Sequence, residues 1–209
     1  MPHGCSIWPA YWSVGPDWPA GGEIDVLEGV HEGPTNSYTL HTSAGCSMNQ
    51  LSNPSIAASF KSLSKLVHPT CESSGADNRG CGFSDPDPLS YGAQFNINVG
   101  GVFANLWDDT GIRIWRFSRS NIPMDIVDRT PNPNFWGTPA AFFPSGDNCD
   151  MSKHFFDHSL VIDTTLCGDL GSPTFSGAGC PGTCAGAVAD PNNFKCKLYL
   201  LICPKSYTN

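Results

Sequence analysis

Positive charge is scarce in this sequence. Its 209 residues contain 11 Lys and Arg against 19 Asp and Glu, which gives a formal net charge of −8. Proteins that bind nucleic acid neutralise phosphates with Lys and Arg, so this composition excludes nucleic acid as a partner. Long apolar runs are also missing, since none approaches the ~20 residues that a membrane-spanning helix needs. We therefore expect no nucleic-acid partner and no membrane partner.

Metal-ligand spacing is missing as well, although the chain has ten cysteines. Cys180 and Cys184 are not followed by a matching pair, so a zinc ribbon is not predicted, and we expect neither a metal nor a cofactor. Ten cysteines instead indicate disulfides that form in an oxidising compartment. Spacing alone does not fix the pairing. We expect Cys71 to pair with Cys81, and Cys167 to pair with either Cys180 or Cys184.

Glutamate is the rarest charged residue in the chain, and its few copies are clustered. The chain has only four, and three of them lie between positions 23 and 32. The segment Gly22 to Gly29 reads Gly-Glu-Ile-Asp-Val-Leu-Glu-Gly, which places Glu23, Asp25 and Glu28 in an otherwise apolar run. A solvated acidic strand edge is the alternative interpretation. The apolar residues between the acids favour a functional site instead.

The geometry of a strand explains why this spacing is useful. Ile24, Val26 and Leu27 favour a strand, in which Glu23 and Asp25 share a face and Glu28 points the other way. One β-bulge near Val26 or Leu27 would return Glu28 to the face of the other two acids. The α-carbons of Glu23 and Glu28 would then be roughly 13 Å apart at ~3.3 Å per step. Side chains that lean together would leave their carboxyl groups roughly 5 Å apart, the spacing of retaining glycosidases.

Three clustered acids cannot all ionise at once without strong repulsion. Two carboxyl groups that flank a glycosidic bond act as nucleophile and acid/base, and the one that keeps its proton is the acid. Asp25, between them, can hydrogen-bond the nucleophile. The motif alone does not say whether Glu23 or Glu28 is the nucleophile.

The rest of the chain is typical of an all-β protein rich in loops. It has 22 Gly and 18 Pro, and 14% of its residues are charged. Alternating polarity predicts a strand over residues 94–99, a hairpin turn at Gly100-Gly101 and a second strand over residues 102–107. Residues 111–118 and 159–164 are further predicted strands. Residues 55–67 have near-helical apolar spacing and form either a short helix or a covering loop.

Six tryptophans supply candidate platforms for a sugar. Trp12 and Trp18 lie just before the acids, while Asn96 and Trp107 lie on the polar-aromatic face of the two predicted strands. Aromatic rings suit the C–H faces of a sugar, and amides suit its hydroxyl rim. Most tryptophans are largely buried in protein cores, and Trp8 and Trp115 are better candidates for that environment.

Several segments resemble one enzyme family. Trp8 to Trp12, Gly15 to Pro19 and Gly21 to Gly29 are similar to fungal endo-1,3(4)-β-glucanases (laminarinases) of glycoside hydrolase family 16. The longer spacing of the acids resembles the laminarinase branch of the family rather than the lichenase branch, whose motif is one residue shorter. Matching segments extend from about residue 1 to about residue 194, and the further ones are residues 38–42, 95–96, 100–104, 112–115, 133–137 and 163–169.

The resemblance implies a fold and an activity. The fold is a jelly-roll sandwich of two antiparallel sheets with a concave substrate cleft. Glu23 would be the nucleophile, Asp25 its assisting carboxylate and Glu28 the acid/base, with His41 near the nucleophile. The implied reaction is retaining endo-hydrolysis of β-1,3 and mixed β-1,3/1,4 glucan. By the same resemblance the protein is extracellular, and we expect it to be a monomer.

The resemblance also implies an incomplete domain. Residues 1–194 would be a partial catalytic domain whose first strands are missing, and residues 195–209 an aberrant tail in which Cys196 and Cys203 are unpaired or mispaired. No signal peptide is recognisable at Met1. The chain alone is then expected to have an open sheet edge and to aggregate or unfold without cooperativity. The alternatives to an active enzyme are an inactive glucan-binding fragment and a non-functional truncated gene product.

Overall fold

The computed structural model describes residues 1–75 and 77–194. This part of the chain contains nine β-strands, all paired antiparallel within their sheets. In chain order they are β1 Ile7–Val14, β2 Glu23–Glu28, β3 Ser37–His41, β4 Lys65–His68, β5 Cys81–Ser84, β6 Gly101–Asp108, β7 Gly111–Ser118, β8 Ala141–Pro144 and β9 Ser159–Leu166. Six strands form one sheet in the order β4-β5-β3-β2-β1-β9, and three form a second in the order β6-β7-β8.

Short helices connect these strands. The α-helices are α1 Pro54–Ala57, α2 Gly92–Ile97, α3 Met124–Val127, α4 Met151–His154, α5 Gly168–Thr174 and α6 Cys184–Ala189. The 3₁₀ helices are Asn49–Ser52, Pro88–Ser90, Arg119–Asn121, Pro133–Phe135 and Pro191–Phe194. None of the helices in the described ranges has the length and apolar character needed to cross a bilayer.

The core lies between the two sheets. Ile24 of β2 and Leu40 of β3 pack in the same buried cluster as Ile112 and Ile114 of β7 and Phe143 of β8. Burying one face of each sheet is what holds a sandwich together, and it leaves the opposite face of the larger sheet free for a cleft. The predicted all-β jelly-roll sandwich of two antiparallel sheets is confirmed, as are the strands predicted over residues 102–107, 111–118 and 159–164.

The strand predicted over residues 94–99 is wrong. This segment forms α2, in which the backbone N–H of Asn98 donates to the carbonyl of Gln94. The alternating apolar residues Ile97 and Val99 are 71% and 73% exposed, so no buried face rewards an extended conformation. The hairpin predicted at Gly100-Gly101 is also wrong, because β6 instead turns into β7 after Asp108.

Neither alternative for residues 55–67 describes the whole segment. Helix α1 ends at Ala57, and β4 begins at Lys65. The segment between them lies over the core, where Phe60 contacts Phe142 edge-to-face at 5.5 Å between ring centroids.

Four disulfides cross-link the described residues. Cys71–Cys81 and Cys167–Cys184 agree with the expected pairings, and the other two are Cys5–Cys180 and Cys46–Cys149. Disulfides stabilise mainly by restricting the unfolded chain, and the long separations of the last two close large loops. The tail over residues 195–209, with Cys196 and Cys203, lies outside the described residues.

The larger sheet extends beyond the smaller one at β9. Leu160 and Ile162 pair with Ser13 and Tyr11, so they continue the face on which Tyr11 packs against the core. Both side chains nevertheless remain exposed, at 64% and 77%. Leu160 and Ile162 are called the exposed apolar pair below.

Candidate active site

A β-bulge in β2 brings the three acids to one face. Tyr11 of β1 pairs with Leu27, but the next residue, Trp12, pairs with Asp25, so Val26 has no partner of its own. The pairing of β2 with β3 shifts over the same residues. Glu28 is thereby returned to the side of Glu23 and Asp25, as the spacing predicts, and all three acids line one small cavity.

Glu23 lies at the rim of the cleft. Its carboxylate accepts a hydrogen bond from the indole N–H of Trp18, and its backbone pairs with that of His41 on β3. The rings of Trp18 and His41 lie 6.4 Å apart between centroids. Trp18 is therefore held directly against the expected nucleophile.

Asp25 lies beneath Glu23 and is buried. Its Oδ2 is 3.4 Å from Nε2 of His41 and has no hydrogen-bond partner among the described residues. Burial and the charges of Glu28 and Glu23 raise the pKa of Asp25 well above its usual range. A protonated Asp25 can donate to the carboxylate of Glu23.

Glu28 is bound on two sides. Its carboxylate accepts a hydrogen bond of 3.2 Å from the indole N–H of Trp8, and its backbone N–H donates to Oδ1 of Asn36 at 2.9 Å. Burial and the charge of Glu23 raise the pKa of Glu28 to about 7, although the Trp8 hydrogen bond opposes them. Glu28 can thus carry a proton near neutral pH.

His41 is held close to these acids on the predicted strand. Its Nδ1 lies 2.8 Å from the hydroxyl of Ser73. Burial lowers the pKa of His41, and the charge of Glu23 partly opposes that effect. The lowered pKa favours the neutral form of the His41 ring beside Asp25.

The cleft around the acids has a volume of about 580 Å³ and extends over β2, β3 and β5. Of the predicted site residues it contains Glu23, Glu28, Trp18 and His41. It also contains residues that sequence reasoning did not select, namely Trp8, His68, Arg79, Asp169 and Leu170. Trp8 was a candidate for the core, yet it alternates with Ala10 and Trp12 on the cleft face of β1, and this alternation is the signal that could have placed it here.

Three predicted substrate-binding residues do not line this larger cleft, although one of them, Trp12, lines the small cavity that holds the three acids. Trp12 lines a smaller adjoining cavity and donates its indole N–H to Asp163 at 3.4 Å. Trp107 is on the other sheet, where its ring lies 5.0 Å from that of His158 and 6.2 Å from that of Phe155. Asn96 is not brought to the cleft, because it belongs to α2 and hydrogen-bonds the amino group and carbonyl of Met1.

Glu23, Asp25 and His41 are also the residues that could approach a metal ion. Each offers one ligand atom, and these atoms lie within 4.8 Å of one another in the described part of the chain. A protonated Asp25 that donates to Glu23 would account for the same arrangement without an ion.

Comparison with known proteins gives a consistent result. Residues 1–202 match the model of the XgeA-like catalytic GH16 domain, where GH16 denotes glycoside hydrolase family 16. The chain is 43% identical over 196 residues to a probable glycosidase of Schizosaccharomyces pombe, covering 93% of this chain and 45% of that protein. It is 38% identical over 173 residues to an endo-1,3(4)-beta-glucanase of Arthroderma benhamiae, covering 80% of this chain and 36% of that protein.

Two solved structures share the fold. GH16 Laminarinase 16A from Phanerochaete chrysosporium, solved with beta-glucans in its donor and acceptor sites, superposes with a TM-score of 0.83 at 39% identity, covering 92% of this chain and 64% of that one. An elongating GH family 16 beta-1,3-glucosyltransferase superposes with a TM-score of 0.80 at 35% identity and the same coverage. This chain spans about half or less of the length of these curated relatives. Because the family model matches residues 1–202, the chain belongs to glycoside hydrolase family 16.

Proposed function

We propose that this chain carries the site of a retaining endo-β-glucanase that acts on β-1,3 and mixed β-1,3/1,4 glucan. One observation carries the proposal: the bulge at Val26 places Glu23 and Glu28 on either side of Asp25 in one cleft. The relatives named as endo-1,3(4)-beta-glucanases support the choice of substrate.

The environments of the two glutamates support different roles. Glu28, with its pKa near 7, is the proton donor, and Glu23, held by Trp18 and backed by Asp25, is the nucleophile. Glu28 protonates the glycosidic oxygen as a carboxylate oxygen of Glu23 attacks the anomeric carbon, so the C–O bond to the leaving sugar breaks and a glycosyl ester forms. Glu28 then removes a proton from water, which attacks the same carbon and releases Glu23.

The proposal also covers the predicted substrate-binding residues, the location of the protein and its oligomeric state. Trp18 and His41 are proposed to contact the sugar beside Glu23, and Trp12 to contact sugar beyond Glu28. Trp107, next to His158, is proposed to contact sugar only at the far margin. We propose an extracellular monomer without a metal or cofactor, and the four disulfides support an oxidising location.

Hydrolysis of laminarin tests the proposal directly. We expect reducing sugar to form, and proton NMR of the earliest products to show the β-anomer, because two displacements retain configuration. An early α-anomer would refute the double-displacement mechanism, and products longer than the substrate would reveal glucosyl transfer instead of hydrolysis.

A matched set of glutamate variants assigns the roles. Glu23→Gln should abolish hydrolysis, because an amide cannot form the ester, whereas Glu72→Gln, outside the cleft, should not change it. Glu28→Ala should lose activity on polymer but regain some with azide and an activated aryl glycoside, since a small anion replaces the missing base. Laminarin binding without any product would favour the alternative of an inactive glucan-binding fragment.

A further inference from the structure

A fourth carboxyl group lies in the site, outside the Glu-Asp-Glu pattern. Asp163 of β9 pairs with Ala10 of β1, and Ala10 pairs on its other side with Glu28 of β2. Directly paired residues share a face, so the three lie in a row across the cleft side of the sheet. Adjacent strands are ~4.8 Å apart, which places the α-carbons of Asp163 and Glu28 roughly 10 Å apart.

The residue between the two acids does not separate them with bulk. Ala10 contributes only a methyl group, and Glu28 and Asp163 both line the same cavity of about 140 Å³. Trp8 and Trp12 lie on either side of Ala10 on this face of β1. The indole N–H of Trp8 donates to Glu28 at 3.2 Å, and that of Trp12 donates to Asp163 at 3.4 Å. Both carboxyl groups are thereby held at the shared cavity, Glu28 partly buried and Asp163 exposed to solvent.

We propose that Asp163 is a positioning residue for the proton of Glu28: its negative charge, held across Ala10 by Trp12, adds to the groups that favour the protonated form of the Glu28 carboxyl group. The catalytic meaning of this inference rests on the proposed function. The electrostatic coupling is a property of the folded chain and can be measured without substrate.

Other charged groups also act on Glu28, and Asp163 is one contribution among them. Burial and the charge of Glu23 raise the pKa of Glu28 more than Asp163 does, and the Trp8 hydrogen bond lowers it. The titratable or charged groups that face Glu28 are Glu23 and Asp25 on its own strand, His41 on β3, Tyr91 beside Gly29, Asp163 on β9, and Arg79, His68 and Asp169 in the cleft wall. Asp163 is the acid that approaches from the β1 side.

The expected size of the effect follows from distance. A unit charge that lies a little less than about 10 Å away across a partly solvated cavity shifts a pKa by roughly half a unit.

Asp163→Asn removes the charge but keeps an oxygen that can accept the Trp12 hydrogen bond. Asp163→Thr is a second variant, suited to a strand, in case the amide disturbs folding. Asp109→Asn, in the exposed turn between β6 and β7, is the control with the same change in net charge.

The test is a carbon-13 NMR titration of protein labelled at the glutamate carboxyl carbon. The chain has only four glutamates, and Glu28→Gln identifies the resonance of Glu28. We expect the pKa of Glu28 to fall by roughly half a unit in Asp163→Asn and Asp163→Thr and to stay constant in Asp109→Asn. An unchanged value in both Asp163 variants would overturn the proposal, as would an equal fall in the control.

Kinetics separate this inference from the proposed function. The alkaline limb of the pH profile of kcat/KM on laminarin should move to lower pH by the same amount, with the acid limb unchanged. A shift of the Glu28 resonance in a chain without glucanase activity would support the coupling and refute the enzyme. Activity with no shift of resonance or alkaline limb would support the enzyme and refute the coupling.

Discussion

Glu28 owes its proton affinity to opposing influences from individual neighbours. Burial and Glu23 favour the protonated carboxyl group, whereas the indole N–H of Trp8 favours the carboxylate. The sequence pattern identified the acids, because three carboxyl groups in an apolar run are recognisable without coordinates. It could not identify Trp8 as their partner, because the direction of one indole N–H depends on strands that meet only in the folded protein.

Trp8→Phe tests that contribution. The substitution keeps an aromatic ring on β1 but removes the hydrogen bond that stabilises the carboxylate of Glu28, so the pKa of Glu28 should rise. The alkaline limb of the pH–kcat/KM profile should move to higher pH, the direction opposite to Asp163→Asn. Trp115→Phe is the control, because Trp115 is buried and donates its N–H to the carbonyl of Gly137. Equal shifts in both variants would show a general loss of packing instead.

The proposed catalytic role of Asp25 comes at a cost to the fold. Its pKa is raised by burial first, so the folded chain holds the proton more tightly than the unfolded chain. The stability that this proton contributes is fully present below the unfolded-state pKa of ~3.9 and is lost as the pH rises through the raised folded-state value.

Asp25→Asn should therefore stabilise the fold and weaken catalysis. The amide avoids burying a titrating acid, so the free energy of unfolding should increase by about 1 kcal/mol or more near pH 8 and change little near pH 4. Hydrolysis should fall at both pH values. Denaturant unfolding of the two proteins at each pH makes the measurement, and a variant less stable than wild type near pH 8 would contradict this account of Asp25.

At the scale of elements, the bulge decides whether the acids meet. Val26 is the unpaired residue, and its side chain is buried in the core. Deleting Val26 leaves Glu23 and Glu28 four regular steps apart on one face, with Leu27 in the inward position. Inserting one alanine between Leu27 and Glu28 leaves five effective steps between Glu23 and Glu28 as long as the bulge at Val26 is kept, so Glu28 then points away from the cleft.

We accordingly expect the two length changes to have different effects. The deletion should retain measurable hydrolysis of laminarin, and the insertion should reduce it about 100-fold further, since the acid/base is then misplaced. Circular dichroism of both variants controls for folding. Equal activities would show that the register of Glu28 is not set by the bulge.

The bulge and several strands, among them β2, β6, β7 and β9, were predictable from sequence, but α2 was not. The spacing of the acids required one extra residue in β2 if all three were to share a face. The β-forming or apolar residues Ile24, Val26 and Leu27 between them favoured a strand. In residues 94–99 the same period-2 polarity is present without a neighbouring strand to pair with, so the backbone satisfies its hydrogen bonds within the helix. Alternation indicates a strand only when one face is buried.

At the scale of the whole molecule, the two sheets differ in extent. The exposed apolar pair lies on β9, which is an edge strand of the larger sheet. Edge strands with uncovered apolar side chains favour association between chains. The expectation that the 209-residue chain aggregates or unfolds without cooperativity stays a prediction, and this pair is where it can be examined.

Replacing the exposed apolar pair with threonine should reduce self-association. Leu160→Thr with Ile162→Thr keeps β-forming residues but removes apolar surface, so light scattering at a fixed protein concentration should decrease and the Glu28 titration should not change. Val161→Thr on the opposite face is the control and should leave scattering unaltered. Unchanged scattering in the double variant would show that association, if it occurs, uses another surface.

The Cys5–Cys180 disulfide gives the folded chain the topology of a closed ring. A protease that cuts any peptide bond between these cysteines opens the backbone but leaves both fragments covalently joined, and Cys46–Cys149 joins them a second time when the cut falls between its own cysteines. The exposed turn at α3 lies inside both loops. A nicked molecule would therefore keep β2 and β9, and with them Glu28 and Asp163, covalently tethered in one particle.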